Sequence, residues 1–193
     1  MKTITLTLML LLISIQSSIL FASKRHALVI GNGAYTVVDG KLNNPPRDAR
    51  AIAKQLEQLG FQVQLEVNLK DKEAMVTAVD KFTEQLADQE IGLFYYAGHA
   101  MQINDINYLM PTKAAIKNIK QVKHRALDSA YLVDQMSAYK PQLSIVILDS
   151  CRNNPFPKGS RGGKRGLGRM KAPSDMIISF ATEPGETADD GDG

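Results

Sequence analysis

The sequence predicts a three-layer α/β/α sandwich with a mainly parallel sheet, because apolar strand-like runs alternate along it with amphipathic helical segments. Glycine, proline and asparagine residues separate these segments, as expected for element boundaries. The chain has 193 residues, of which 44% are hydrophobic and 22% charged, so it is long enough for one globular domain with a sizeable core.

The first predicted strand is the apolar run Ala27–Ile30, which is typical of a strand covered on both faces. A helix is expected to start near Asn44, just before two prolines, and to end at Gly60. Its apolar face is predicted to contain Ala49, Ile52, Leu56 and Leu59. Apolar and polar residues then alternate from Phe61 to Val67, which predicts a strand at the edge of the sheet.

A second helix is predicted from about Asp71, and its buried stripe should consist of Met75, Val79, Phe82 and Leu86. The run Ile91–Tyr96 predicts another buried strand. After it, two short apolar runs flank Asn104-Asp105, a pair that favours a hairpin turn.

The last predicted elements are a helix from Asp128 to Tyr139, a buried strand from Leu143 to Leu148 and a strand from Ile177 to Phe180. If the second strand lies at an edge, the first strand lies inside, beside the third and then the fourth. Ligands of such sheets bind beyond the carboxyl ends of the strands, near the point where the winding reverses.

Two polar motifs follow the two neighbouring strands at that point. His99 comes after the strand ending at Tyr96, and Cys151, the only cysteine, comes after the strand ending at Leu148. Adjacent parallel strands are about 5 Å apart, so side chains beyond their ends can meet over one cleft. An imidazole can lower the pKa of a thiol and later protonate a leaving amine. We therefore predict that His99 and Cys151 form a catalytic pair.

Attack of a thiolate on a carbonyl also creates an oxyanion, which needs preorganised hydrogen-bond donors. The backbone N–H groups of Ala100 and Cys151, on the turns after the two strands, are the candidates for this oxyanion hole. Gly98 is expected to let the first of these turns close.

With these motifs, the sequence resembles the caspase-like peptidase clan, which includes caspases, metacaspases and their bacterial relatives. Caspases place the histidine about 50 residues before the cysteine, and His99 precedes Cys151 by a similar distance. Asp149-Ser150 stands where caspases have Gln-Ala, which matches the metacaspase-like form. The resemblance also covers Ala27–Asn32, Leu42–Ala49 and Phe180–Ala188, so nearly the whole chain after the N-terminal segment is included.

The resemblance implies His99 and Cys151 as the catalytic dyad of a cysteine endopeptidase, with no metal and no organic cofactor. It also implies that Asp149 receives an Arg or Lys side chain at the residue before the cut bond, since a carboxylate pairs with a guanidinium and repels an acidic side chain. Asp48 is similar to a second pocket acid. The alternatives are a loop-capping carboxylate for Asp149 and a helix first-turn acid for Asp48.

The segment 158–171 carries glycines and basic residues without an acid, which predicts a mobile exposed loop. It falls where related enzymes have the linker between the large and small subunits. Its basic residues are therefore candidate self-cleavage sites, and a plain solvated loop or an anion-binding loop are the alternatives. These residues are Lys158, Arg161, Lys164, Arg165 and Arg169.

The domain boundaries follow from the same comparison. Residues 1–22 are expected to be a secretory signal peptide or an uncleaved N-terminal anchor, which predicts export to the periplasm or beyond. The peptidase domain is expected over 24–193, with a large-subunit-like part to about 157 and a partial small-subunit-like part over 172–193. Further C-terminal strands of the family are expected to be missing.

Protein or peptide substrates are the partners that this assignment implies. The formal net charge of +3 is too small to indicate a nucleic-acid partner, and membrane contact is expected only if the N-terminal segment stays uncleaved. The alternative function is a catalytically weak or inactive caspase-like interaction module. A nucleotide-binding protein has little support, because Thr36 stands where the third glycine of a phosphate loop would be.

Overall fold

A computed structural model describes residues 23–36, 40–88, 90–150, 163–164 and 167–181. Its centre is a five-stranded sheet in which every pair of neighbouring strands is parallel. In spatial order the strands are β2 (Phe61–Val67), β1 (Arg25–Gly31), β3 (Ile91–Ala97), β7 (Leu143–Asp149) and β9 (Met176–Phe180). The predicted strand order and the edge position of β2 are therefore confirmed.

Helices cover both faces of this sheet, which confirms the predicted three layers. Helix α1 (Asn44–Gln58) packs on one face, where Ala49, Ala53 and Leu56 join side chains from β1 and β3 in one apolar cluster. The other face is covered by α2 (Lys72–Thr83) and α4 (Ser129–Ala138). The side chains buried there include all four of the predicted stripe on the second helix, Met75, Val79, Phe82 and Leu86.

A smaller antiparallel sheet lies beside the end of β3. Its strands, in spatial order, are β6 (Leu127–Asp128), β5 (Ile106–Leu109), β4 (Ala100–Ile103) and β8 (Gly163–Lys164). The predicted hairpin is formed by β4 and β5, and its two turn residues, Asn104 and Asp105, have φ values of 51° and 63°. Positive φ at both central residues is the geometry of the tight turns that fit the twist of a hairpin.

Two features of the helices differ from the sequence prediction. Leu59, expected on the buried face of α1, is 60% exposed, because α1 ends at Gln58 and the backbone turns away at Gly60, where φ is 82°. A short helix, α3 (Ile119–Arg125), was not predicted at all. Val122 is the one buried residue among the seven of α3. A single buried residue makes no repeating apolar pattern, so the sequence does not predict this helix.

The prediction of an exposed loop holds only in part for the described residues of segment 158–171: Arg169 and Lys171 are exposed, whereas Leu167 and Gly168 are buried. Gly163 and Lys164 pair with β4 as strand β8, and the side chain of Leu167 is 2% exposed within the main core. The Asn107 side chain binds both backbone groups of Gly168, accepting its N–H at 2.8 Å and donating to its carbonyl at 2.9 Å. One leucine and one buried amide therefore dock a segment whose composition predicts a loop.

Replacing Asn107 with alanine should release this docked segment. The change leaves the N–H and carbonyl of buried Gly168 without their partners, at a cost of about 1–3 kcal/mol. Trypsin should then cut the chain between Gly163 and Lys171 several times faster, as followed by mass spectrometry. The matched control is Asn118→Ala, which removes an amide that caps α3 and should leave cleavage at this segment unchanged. Equal rates for wild type and Asn107→Ala would contradict the docking role.

None of the helices within the described ranges combines the length and apolar character needed to cross a bilayer. The predicted signal or anchor, residues 1–22, lies outside those ranges.

Candidate active site

His99 lies where two neighbouring strands of the central sheet end side by side. The register of β3 and β7 pairs Ala97 with Asp149, and the N–H of Gly98 donates to the Asp149 carbonyl at 3.3 Å. Gly98 has a φ of 151°, a backbone conformation that glycine adopts more readily than other residues. The turn therefore closes directly beyond the paired strand ends and places His99 there, as the sequence predicted.

The backbone of His99 is held by two tyrosines. Its N–H donates to the hydroxyl of Tyr35 at 2.8 Å, and its carbonyl accepts from the hydroxyl of Tyr96 at 2.7 Å. The rings of Tyr35 and His99 are 4.4 Å apart between centroids and tilted by 48°. Burial raises the pKa of Tyr96, so its hydroxyl stays protonated as a donor. The histidine is 3% exposed and fixed on both sides of its backbone.

Ala100, the proposed oxyanion donor, is the first residue of β4. The Met110 N–H donates to the His99 carbonyl at 3.0 Å, which makes Ala100 and Leu109 a non-hydrogen-bonded pair of the antiparallel ladder. The N–H of Ala100 therefore points away from β5. This orientation leaves the amide free of the β4–β5 ladder, as an oxyanion donor requires.

Asp149 is the last residue of β7, and its half-buried carboxylate accepts a hydrogen bond from the hydroxyl of Tyr95 at 2.9 Å. Tyr95 and Asp149 both project from the face of the sheet that α1 covers. Burial, more than the nearby carboxylates, raises the pKa of Tyr95 far above its usual range. Tyr95 is thus a neutral donor fixed beneath Asp149.

Asp48 lies in α1 with an exposed side chain, on the same side of the sheet as Asp149. Its negative charge adds to that of Asp149 in raising the pKa of Tyr95, although only Asp149 is hydrogen-bonded to that hydroxyl. Helix α1 begins at Asn44, and its first turn carries no acidic residue. The alternative interpretation of Asp48 as a first-turn acid is therefore wrong.

Several predicted site residues fall outside the described ranges. Cys151 is one of them, and Lys158, Arg161 and Arg165 of the candidate self-cleavage sites are the others. The backbone of Lys164 belongs to β8, and Arg169 is exposed beside a cavity of about 250 Å³ that Asp105 and Asp134 also line.

The sequence Gly31-Asn32-Gly33 contains the two glycines that a phosphate loop ending at Thr36 would need, but in the fold it joins the segments around the site. The Asn32 side chain donates to the Met110 carbonyl at 3.0 Å and accepts the Leu69 N–H at 3.0 Å. A side chain at Gly33 would come within 2.2 Å of the Leu42 carbonyl oxygen. Across the described parts of the chain, no three His, Cys, Asp or Glu side chains converge as a metal site would require.

Tyr35 and Tyr95 are site residues that were not predicted from the sequence. Tyr35 lies in the loop after β1, and only the fold brings it to His99. The signal for Tyr95 was available, since two consecutive tyrosines in a buried strand must point to opposite faces of the sheet. Two tyrosine hydroxyls inside a sheet need polar partners on both of those faces.

The chain is similar to known proteins of one family. A family model described as the caspase domain matches residues 24–193. Mucosa-associated lymphoid tissue lymphoma translocation protein 1 from human and its mouse homolog are each 30% identical to the chain over 172 residues. That alignment covers 86% of this chain and 19% of either relative, so the chain spans about a fifth of their length.

Two solved structures share the fold. Protein GSU0716 from Geobacter sulfurreducens matches with a TM-score of 0.52 and 22% identity, over 66% of this chain and 50% of that one. The Drosophila initiator caspase Dronc matches with a TM-score of 0.51 and 8% identity, over 81% of this chain and 54% of that one. At these identities the likeness shows a caspase-like fold.

Proposed function

The chain belongs to the caspase domain family of cysteine peptidases, and we propose that it is an endopeptidase that cleaves after arginine or lysine. His99 and Cys151 are the proposed dyad. His99 takes the proton of the thiol, the thiolate attacks the carbonyl carbon, and His99 then protonates the leaving amine. Water, activated by the same imidazole, hydrolyses the resulting acyl-enzyme and frees the cysteine.

One observation supports this proposal most strongly: the backbone hydrogen bond from Gly98 to Asp149. It joins the residue before His99 to the residue two positions before Cys151. His99 follows Ala97 by two residues, Cys151 follows Asp149 by two, and Ala97 and Asp149 are partners in register. Strands β3 and β7 thus end at the same level and are hydrogen-bonded there. This arrangement favours one common cleft for the side chains that follow the two strands.

The preference for basic residues rests on charge. Asp149 binds the hydroxyl of Tyr95, and Asp48, on the helix that covers the same face of the sheet, adds a second negative charge that raises the pKa of this tyrosine. A guanidinium or ammonium group entering there would gain charge-assisted hydrogen bonds, whereas an acidic side chain would be repelled. Export, as predicted from residues 1–22, would place this peptidase outside the cytoplasm.

The test is a set of fluorogenic peptides identical except at the residue before the cut bond, which is arginine, lysine, citrulline or aspartate. Wild type should cleave the arginine and lysine peptides, citrulline poorly and aspartate not at all. Asp149→Asn should lower kcat/KM for the arginine peptide by about 10- to 100-fold, since a hydrogen bond to a charged group is worth about 1.5–3 kcal/mol. The citrulline peptide should be cleaved nearly as before.

The matched control is Asp134→Asn, which neutralises an exposed acid on α4 and should leave all four rates unchanged. Faster cleavage of the aspartate peptide than of the arginine peptide by wild type would refute the proposed specificity. No cleavage of any peptide, with ordinary alkylation of Cys151 by iodoacetamide, would favour a non-catalytic interaction module instead.

A further inference from the structure

Tyr95 contacts Asp149 from the interior of the molecule. It pairs in register with Ile147, so Asp149 is two residues further along the neighbouring strand and on the same face of the sheet. The Tyr95 side chain is 4% exposed, whereas Asp149 is half-buried. The hydroxyl therefore meets Oδ2 of Asp149 from the protein side, at 2.9 Å, while the aspartate keeps part of its surface exposed among the described residues.

This hydroxyl is a permanent donor. Burial raises the pKa of Tyr95, and the charges of Asp149 and Asp48 raise it further, so the phenol does not ionise at any physiological pH. Its ring is held in the apolar cluster between the sheet and α1, together with Val29, Leu93 and Ala97. A donor with so little freedom fixes the carboxylate that it binds.

From this contact we infer that Tyr95 is a positioning residue that fixes the plane of the Asp149 carboxylate and so makes the pocket select arginine over lysine. The inference rests on the proposed function. A guanidinium is planar and donates two parallel hydrogen bonds only to a carboxylate whose plane matches its own. An ammonium group rotates freely and needs no such match. A carboxylate has about four lone-pair sites, so the hydrogen bond from Tyr95 does not use up its capacity to accept bonds from a substrate.

The test is Tyr95→Phe, which removes the hydroxyl and keeps the ring that packs against α1. We expect kcat/KM for the arginine peptide to fall about five- to tenfold, mainly through KM, because a freed carboxylate loses part of a charge-assisted bidentate pair. The lysine peptide should change less than about twofold, since its ammonium follows the carboxylate. The arginine-to-lysine ratio should therefore drop at least about 2.5-fold.

Tyr131→Phe is the matched control. It also removes a tyrosine hydroxyl that donates to an aspartate, Asp80, but the pair joins α4 to α2 on the opposite face of the sheet. A comparable loss of stability is expected, with no change in the arginine-to-lysine ratio. A purely structural role would lower both peptides equally in either variant, whereas the positioning role changes the ratio in Tyr95→Phe alone.

The outcomes separate this inference from the proposed function. If wild type cleaves neither basic peptide, the proposed function is wrong. If wild type cleaves both, and Tyr95→Phe retains the wild-type ratio or loses both activities equally, the positioning role is wrong and the proposed peptidase stands. A ratio that falls in both Tyr95→Phe and Tyr131→Phe would also overturn the role, since it would trace the change to stability.

Discussion

Replacing His99 with alanine is expected to lower kcat/KM for an arginine peptide by about 10³-fold, the usual contribution of a positioned acid–base group. Without the imidazole, the thiol of Cys151 is mostly protonated at neutral pH and the leaving amine has no proton donor. Cys151→Ala should cost at least as much, because it removes the nucleophile. Initial rates on the fluorogenic arginine peptide measure both.

The double variant decides whether the two residues act as one unit. If they do, His99→Ala combined with Cys151→Ala should be no slower than Cys151→Ala alone, because groups that share one step are not additive. The control is His124→Ala, which removes an exposed imidazole in the last turn of α3 and should retain full activity. Undiminished cleavage by Cys151→Ala would exclude the dyad.

The fold was predictable because its strongest signals are long apolar periods. Strands β1 and β3 are buried along nearly their whole length, and β7 is buried on alternate residues. Such burial is expected of parallel strands between two layers of helices. The weaker period of Phe61–Val67 identified the edge strand, and that single inference fixed the order of the others. Gly60 marked the end of α1, although Leu59 lies just outside the helix rather than on its buried face.

The parts that could not be predicted depend on contacts distant in sequence. Gly168 docks because Asn107, 61 residues earlier, binds its backbone, and no local pattern around Gly168 indicates this. The hydroxyl of Tyr35 accepts a hydrogen bond from the N–H of His99, although the two residues are 64 positions apart. By contrast, the position of His99 was predictable because it follows a strand with a clear apolar period, and Asp149 was singled out by the resemblance to the family. Strand ends can be predicted locally, whereas the side chains that support them cannot.

Substituting alanine for Gly98 should both destabilise the protein and inactivate the site. A Cβ at this position would lie 2.6 Å from the Tyr35 hydroxyl, 2.8 Å from the Tyr96 hydroxyl and 2.9 Å from the Asn32 carbonyl oxygen. The first two atoms are those that hold the His99 backbone, so relief of the clash must move His99. With the strained φ, we expect a loss of about 2–4 kcal/mol in the free energy of unfolding.

Activity should fall by about 10²-fold even at temperatures where the variant is folded, because a shift of about 1 Å in a reacting group has that effect. Urea denaturation and peptide cleavage at 25 °C measure the two losses separately. Gly60→Ala is the matched control: its φ is 82°, but an added Cβ meets nothing within 4 Å. It should cost only about 1–2 kcal/mol of backbone strain and leave cleavage unchanged. Equal activity in the two variants would show that the closeness of Gly98 to the two tyrosines does not position His99.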